Sequence, residues 1–179
     1  MFYKSPFDDA LLMKQVNISP DKDIFLKALE LLDHGIFEGH KLLDELIANS
    51  NSDALVASAL FSLETETKEE FDQRHIHLLI NASEQNNPLA LYSLGVYFDI
   101  GEFFQEDKKQ AMKLFKQSAE LNMPQAMYVY GVMIYYGTGG AIQDKKLALK
   151  YLNDAVSMDS EQAKDFLEFI KEELNLCQH

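Results

Sequence analysis

The apolar residues of the chain follow the spacing of amphipathic helices. Within successive segments they recur at i, i+4 and i+8, and then at i, i+3, i+4 and i+7. This spacing places them on one face of a helix, whereas a strand would alternate apolar and polar positions. Only four prolines and eight glycines interrupt the 179 residues. The pattern therefore predicts an all-α fold.

The helical segments repeat with a period of 36 to 37 residues. The stretch "ALYSLGVYFDIGEFFQEDKKQA" at 90–111 matches "AMYVYGVMIYYGTGGAIQDKKLA" at 126–148, which is one residue longer after its glycines. The same pattern extends backwards, clearly at first and then more faintly. It predicts a single domain of about four helix pairs and a terminal capping helix. The predicted helix pairs are a degenerate one at 21–50 and three others at 53–87, 88–123 and 124–160. The predicted capping helix lies in 161–179. Residues 1–20 match no repeat and are interpreted as an N-terminal arm or cap.

Small and turn-forming residues occupy equivalent places in the units. Gly95 and Gly131 lie inside predicted helices, where glycine costs about 1 kcal/mol relative to alanine. Their recurrence indicates that close helix packing compensates for this cost. Asn86, Asn122 and Asp159 fall where second helices must end, and such side chains tolerate the left-handed backbone of a helix C-terminus.

One unit carries, in order, a set of residues that resembles the Sel1-like repeat, a relative of the tetratricopeptide repeat. The resemblance is good over 88–163, fair over 53–87 and weak before that. It implies a right-handed superhelical solenoid of antiparallel helix pairs, used by such proteins as a protein-binding adaptor or scaffold. The residues that carry it are Ala90, Leu94, Gly95, Phe98, Gly101, Asp107 and Ala111.

The charge of the chain indicates which partners it can bind, and its cysteine content indicates its cellular compartment. The net charge is -13, and residues 1–88 hold 16 acidic and 7 basic side chains. Nucleic acid and anionic lipid need clustered basic residues, so neither is an expected partner. An acidic surface attracts a basic protein instead. The lone cysteine, Cys177, and an acidic N-terminus unlike a signal peptide favour the cytoplasm.

The candidate chemical motifs lack the context that catalysis needs. Gly137, Gly139 and Gly140 have no following Lys-Ser/Thr pair and no preceding strand, as phosphate-binding loops require, so they are interpreted as a helix terminator. His75 and His77 are two apart on a helix and point away from each other, which disfavours a metal pair. The acidic run "ETETKEEFD" at 64–72 is interpreted as a solvated loop and helix start. We therefore expect no enzyme activity, no cofactor and no metal site.

The resemblance to tetratricopeptide geometry also implies which positions face a concave surface. Large, rigid tyrosines beside acids suit protein binding. An equally weighted alternative is that these tyrosines only cover the core. The predicted partner-binding residues are Val56, Leu60, Glu64, Tyr92, Val96, Asp99, Tyr128, Val132, Tyr135 and Tyr136.

Three functions follow from these features. The first is a non-catalytic module that binds a protein partner as adaptor or scaffold, and the acidic charge favours a basic partner. The second is a more specific form of it, an immunity or inhibitor protein that neutralises a toxin or effector. The third is a small-molecule site or hydrolytic enzyme that uses the groove, with Tyr92, Tyr128 or Tyr135 beside an acid such as Asp99.

Overall fold

A computed structural model of the chain describes Leu12 and residues 21–176, and its side chains up to residue 172. The predicted arm or cap, residues 1–20, and Cys177 lie outside the described residues, apart from Leu12, which is buried. Over the described range the chain folds into helices joined by short loops. Their bounds are α1 Lys22–Asp33, α2 Glu38–Ala48, α3 Ser52–Leu60, α4 Lys68–Glu84, α5 Pro88–Ile100, α6 Lys108–Glu120, α7 Pro124–Tyr136, α8 Lys145–Ser157 and α9 Glu161–Leu176.

The helices belong to two compact units, which divide between Ala90 and Leu91. In the first unit α1 packs on α2, α2 on α3, and α3 on α4. In the second unit α6 packs on α7, α7 on α8, and α8 on α9. Each unit has its own apolar core, with Phe25, Phe61 and Leu79 fully buried in the first and Phe115 and Leu152 in the second.

Several helices, α6 and α8 among them, begin at a side chain that accepts hydrogen bonds from the first free backbone N–H groups. The Asp107 carboxylate accepts from the N–H groups of Lys109 and Gln110, at 2.9 Å each. The equivalent Asp144 accepts from the N–H of Leu147, also at 2.9 Å. Because the first N–H groups of a helix have no partner within it, these carboxylates fix where α6 and α8 begin.

The predicted helix ends are confirmed. Asn86, Asn122 and Asp159 have φ angles of 58°, 62° and 64°, the left-handed conformation expected of them. Gly137 ends α7 with a φ of 72°, and Gly101 has a φ of 75° at the equivalent place. The glycines that open each loop therefore terminate helices.

The predicted packing role of the helical glycines is also confirmed. A Cβ atom placed on Gly95 would lie 2.7 Å from Cε1 of Phe115, and one on Gly131 would lie 3.0 Å from Cγ of Leu152. Helix α5 therefore approaches Phe115, and helix α7 approaches Leu152, as closely as the absence of a side chain allows.

Within the part of the chain that the structure describes, no helix is both long enough and apolar enough to span a bilayer.

Candidate functional site

A groove of about 450 Å³ opens in the second unit. Its floor is apolar and is formed by one side of α7. Its remaining walls come from the end of α5, the start of α6 and the loop that follows α7. The lining residues are Tyr128, Val129, Val132 and Met133 from α7, Asp99 from α5, Lys108 from α6, and Thr138 and Gly139 from the loop.

The charged edge of the groove carries more acid than base. Lys108 Nζ lies 3.1 Å from Oδ1 of Asp99 and 3.9 Å from Oε1 of Glu106. Its ammonium group also donates a hydrogen bond to the backbone carbonyl of Asp99. Two carboxylates therefore share one ammonium group, and these three side chains together carry one excess negative charge. All three side chains are partly exposed, so an incoming charged group would compete for them.

The loop after α7 lines the groove through its backbone. Gly139 has a φ of +63°, and a Cβ atom there would lie 2.5 Å from Cε of Met133 and 3.0 Å from the carbonyl oxygen of Lys108. Only glycine combines this conformation with so close an approach. From the sequence Gly139 is interpreted as part of a helix terminator, and the structure places it in the lining of the groove as well.

An aromatic cluster on α7 and α9 adjoins the groove. The ring of Phe166 lies 6.3 Å from that of Tyr128, 5.7 Å from that of Tyr135 and 6.0 Å from that of Tyr136, measured between centroids. These pairs meet edge to face, which is a favourable geometry for aromatic rings. The ammonium group of Lys145 lies 5.1 Å from the ring centroid of Tyr135. The terminal helix therefore packs directly on the tyrosines of α7.

The structure brings some of the predicted residues of the second unit together and separates others. Asp99, Tyr128 and Val132 line the groove. Val96 is half-buried outside it. The remaining predicted residues of this unit, Tyr92, Tyr135 and Tyr136, differ in how far their side chains are exposed.

Tyr92, Tyr135 and Tyr136 illustrate the two interpretations left open by the sequence. Tyr92 packs on Phe115 with centroids 5.8 Å apart, and burial, aided by the nearby Tyr128, raises the pKa of its hydroxyl. Tyr135 is only 7% exposed, whereas Tyr136 is 49% exposed. Tyr135 therefore covers the core, and of these three tyrosines only Tyr136 presents much of its ring to solvent.

In the first unit the predicted contact residues are mostly inaccessible. Val56 and Leu60 are 1% and 2% exposed, so neither reaches a partner without a conformational change. Glu64 is exposed on the loop after α3. The resemblance placed all three on one face, but a helical position does not determine what covers it. Helix α3 is buried along its whole apolar length, and Ser58 is buried with it.

Several groove residues are absent from the set predicted from the sequence. Lys108, Val129, Met133 and Thr138 line the groove, and Phe166 lies outside it, against the ring of Tyr128. One sequence feature could have pointed to Lys108: it directly follows the repeated Asp107, at the start of α6. No sequence signal marked Phe166, because it lies on α9, outside the two matched repeats.

A polar cluster closes the C-terminal end of α3 in the first unit. Arg74 donates to the backbone carbonyls of Ser58 at 2.8 Å and Phe61 at 2.6 Å, and it binds both carboxylate oxygens of Glu66 at 2.7 and 2.9 Å. These contacts satisfy carbonyls that have no partner within the helix. Glu66 was expected to be solvated, but this interpretation was wrong, since its side chain is only 6% exposed. The acidic run thus has a structural role.

Two buried histidines belong to the same region. His75 Nδ1 lies 2.7 Å from the carbonyl oxygen of Ala59, and His40 Nε2 lies 3.0 Å from that of Ser62. Burial lowers the pKa of both imidazoles, and the charge of Arg74 lowers it further. Hydrogen bonding to the carbonyls opposes the shift, as do Asp44 and Glu66 near His40 and Asp72 near His75. Both side chains are therefore neutral near pH 7.

The described residues contain no group of three or more His, Cys, Asp or Glu side chains that could hold a metal ion.

Two segments of the chain match a known repeat family. Residues 88–123 and 124–160 each match the Sel1 repeat, which confirms the resemblance identified from the sequence. Sel1 repeats generally serve as scaffolds for protein interaction and are typically non-catalytic. No curated protein matches the chain.

Solved structures of Sel1 repeat proteins share the fold. A Sel1 repeat protein from Oxalobacter formigenes is 23% identical, with a TM-score of 0.54 over 80% of this chain and 96% of that one. Helicobacter pylori cysteine rich protein B is 19% identical, with a TM-score of 0.51 over 84% of this chain and 98% of that one. The protective antigen c5321 of uropathogenic Escherichia coli is 22% identical, with a TM-score of 0.55 over 69% of this chain and 26% of that one. The predicted fold class, an all-α solenoid of helix pairs, is confirmed.

Proposed function

Residues 88–160 of the chain are two Sel1 repeats, and from this premise we propose that the groove of the second unit binds a segment of a partner protein. The chain then acts as an adaptor or scaffold. Catalysis plays no part in this mechanism, which depends on shape and charge complementarity. We also propose a cytoplasmic setting, because the sequence holds a single cysteine and no disulfide partner for it.

The observation that carries this proposal is the combination of an apolar floor and an acidic edge. Val129, Val132 and Met133 present adjacent aliphatic groups in a cavity of about 450 Å³. Interfaces draw most of their binding energy from a few apolar anchors that are fully desolvated and surrounded by polar groups. An aliphatic side chain of a partner would be such an anchor here, and Tyr128 would cover it from one side.

The charge of the edge supports a basic partner. Asp99 and Glu106 outnumber Lys108, and the chain as a whole has a net charge of -13. A lysine or arginine next to the aliphatic anchor would pair with Asp99 in place of Lys108. Complementary charge of this kind raises the association rate and excludes acidic competitors. Binding should therefore weaken as salt is raised.

Site-specific crosslinking tests the groove directly. A photoreactive benzoylphenylalanine at Thr138, which is exposed and lines the groove, should form an adduct with one protein in extracts of the native host. Adding Val132→Arg to the crosslinking protein places a long charged side chain in the apolar floor and should abolish the adduct. Leu149→Arg is the matched control, because Leu149 is 38% exposed on α8 and lies outside the groove.

The outcomes separate the candidate functions. An adduct that persists in Val132→Arg contradicts groove binding. If the captured protein is a toxin or effector whose activity the wild-type chain suppresses and Val132→Arg does not, the inhibitor version holds. If no adduct forms even at low salt while Tyr128→Ala removes a hydrolytic activity of the purified protein, the groove is an enzyme site and the adaptor proposal is wrong.

A further inference from the structure

Helix α9 exposes an aromatic strip that its own packing does not require. Ala163 and Ile170 form its buried face, at 0% and 4% exposure. Phe169 is nevertheless 45% exposed, and its ring lies 6.2 Å from that of Phe166. Phe166 in turn lies 6.0 Å from Tyr136, which is 49% exposed. Contiguous exposed aromatic surface of this kind commonly marks an interaction site.

Two carboxylates flank the exposed end of this strip. Asp165 lies four residues before Phe169 and Glu172 three residues after it, so both side chains are neighbours of Phe169 on the helix surface. Both are exposed. Neither takes part in any ion pair in the described part of the chain, where the nearby Lys164 pairs with Glu161 at 3.6 Å.

The same cluster already holds a cation at its other end. Lys145 Nζ lies 5.1 Å from the ring centroid of Tyr135, whose ring contacts Phe166. A positive charge over an aromatic face is attracted by the electron density of the ring. At Phe169 a cation would meet both a ring and two carboxylates. A guanidinium group suits this arrangement best, since its plane stacks on a ring while its N–H groups reach carboxylate oxygens.

We propose that the strip of Tyr136, Phe166 and Phe169, with Asp165 and Glu172 beside it, binds an arginine side chain of a partner protein. This surface goes beyond the groove, because none of the five residues lines it. The net charge of -13 favours an arginine-bearing segment of basic character. Because the guanidinium group is planar and can stack on a ring, the strip prefers arginine to lysine, which has the same charge but no planar face.

Peptide titration of the full-length chain, followed by amide chemical shifts, tests this preference. Hexa-arginine should shift the amide signals of α9 and bind this helix about two- to fivefold more tightly than hexa-lysine, and hexa-glutamate should leave them unchanged. Phe169→Leu keeps an apolar side chain but removes the ring, so it should abolish the difference between the two basic peptides. Glu172→Gln should weaken both peptides.

Two control variants locate the effect. Glu69→Gln removes an exposed carboxylate of the first unit and should leave the arginine preference of α9 intact. Val132→Arg should also leave it intact, which separates this proposal from groove binding. Equal shifts of α9 by hexa-arginine and hexa-lysine, an unchanged preference in Phe169→Leu, or shifts confined to the first unit would each overturn the proposal.

Discussion

Replacing Gly95 by alanine tests whether close helix packing explains the repeated glycines. The new methyl group would lie 2.7 Å from Cε1 and 2.9 Å from Cδ1 of Phe115. Real Cβ atoms do not approach ring carbons so closely, so the ring or the helix must move. The ring is held in place because it is only 2% exposed and also packs on Tyr92.

Two opposing effects determine the size of the change. Alanine is favoured over glycine inside a helix by about 1 kcal/mol. Forcing an extra methyl group into a filled core costs about 1 to 3 kcal/mol. Because the contact at Gly95 is with a rigid aromatic ring, we expect the cost to exceed the gain. The free energy of unfolding of Gly95→Ala should then fall by about 1 kcal/mol.

Gly131→Ala is the matched comparison in the next repeat. Its methyl group would lie 3.0 Å from Cγ and 3.3 Å from Cδ2 of Leu152, and a leucine side chain yields more easily than a ring. The two effects should nearly cancel there, leaving a change within about 0.5 kcal/mol of zero. Urea unfolding followed by circular dichroism measures both variants.

A second substitution identifies the source of the cost. Phe115→Leu removes the ring that the new methyl group would meet, so the double variant should be more stable than the sum of the single effects by about 1 kcal/mol. If Gly95→Ala instead stabilises the chain by the helix-propensity gain, and no coupling to position 115 is found, the packing explanation is refuted.

Three further predictions concern stability. Burial lowers the pKa values of His40 and His75. The unfolded chain therefore takes up more protons than the folded one as the pH falls through about 6.5, and the urea midpoint should drop between about pH 7.5 and 5.5. A constant midpoint would contradict this. Arg74→Ala leaves a buried carboxylate unpaired and should cost about 3 kcal/mol, whereas Lys68→Ala removes an exposed ion pair and should cost less than about 1 kcal/mol in the same unfolding assay. Gly139→Ala forces a side chain into a left-handed conformation with φ of +63° and should lower the free energy of unfolding by about 1 to 2 kcal/mol.

Much of the fold was predictable because it depends on local chemistry that repeats. The glycine ends of α5 and α7, the aspartates that begin α6 and α8, and the left-handed Asn122 each follow from what a single residue type permits. Such rules act over a few residues of chain, so one sequence displays them directly. The site was less predictable, because a groove is formed by elements that are distant in sequence.

The sequence by itself determined the helices, their repeat period and the positions where small residues are needed. A helical period fixes which residues share a face, but it does not fix which neighbouring element covers that face. Only the tertiary structure decided that Val56 is buried, that Phe166 packs on Tyr135, and that Gly139 lines a groove with Lys108. The physical reason is that burial depends on contacts between distant segments, whereas helix formation depends on neighbours along the chain.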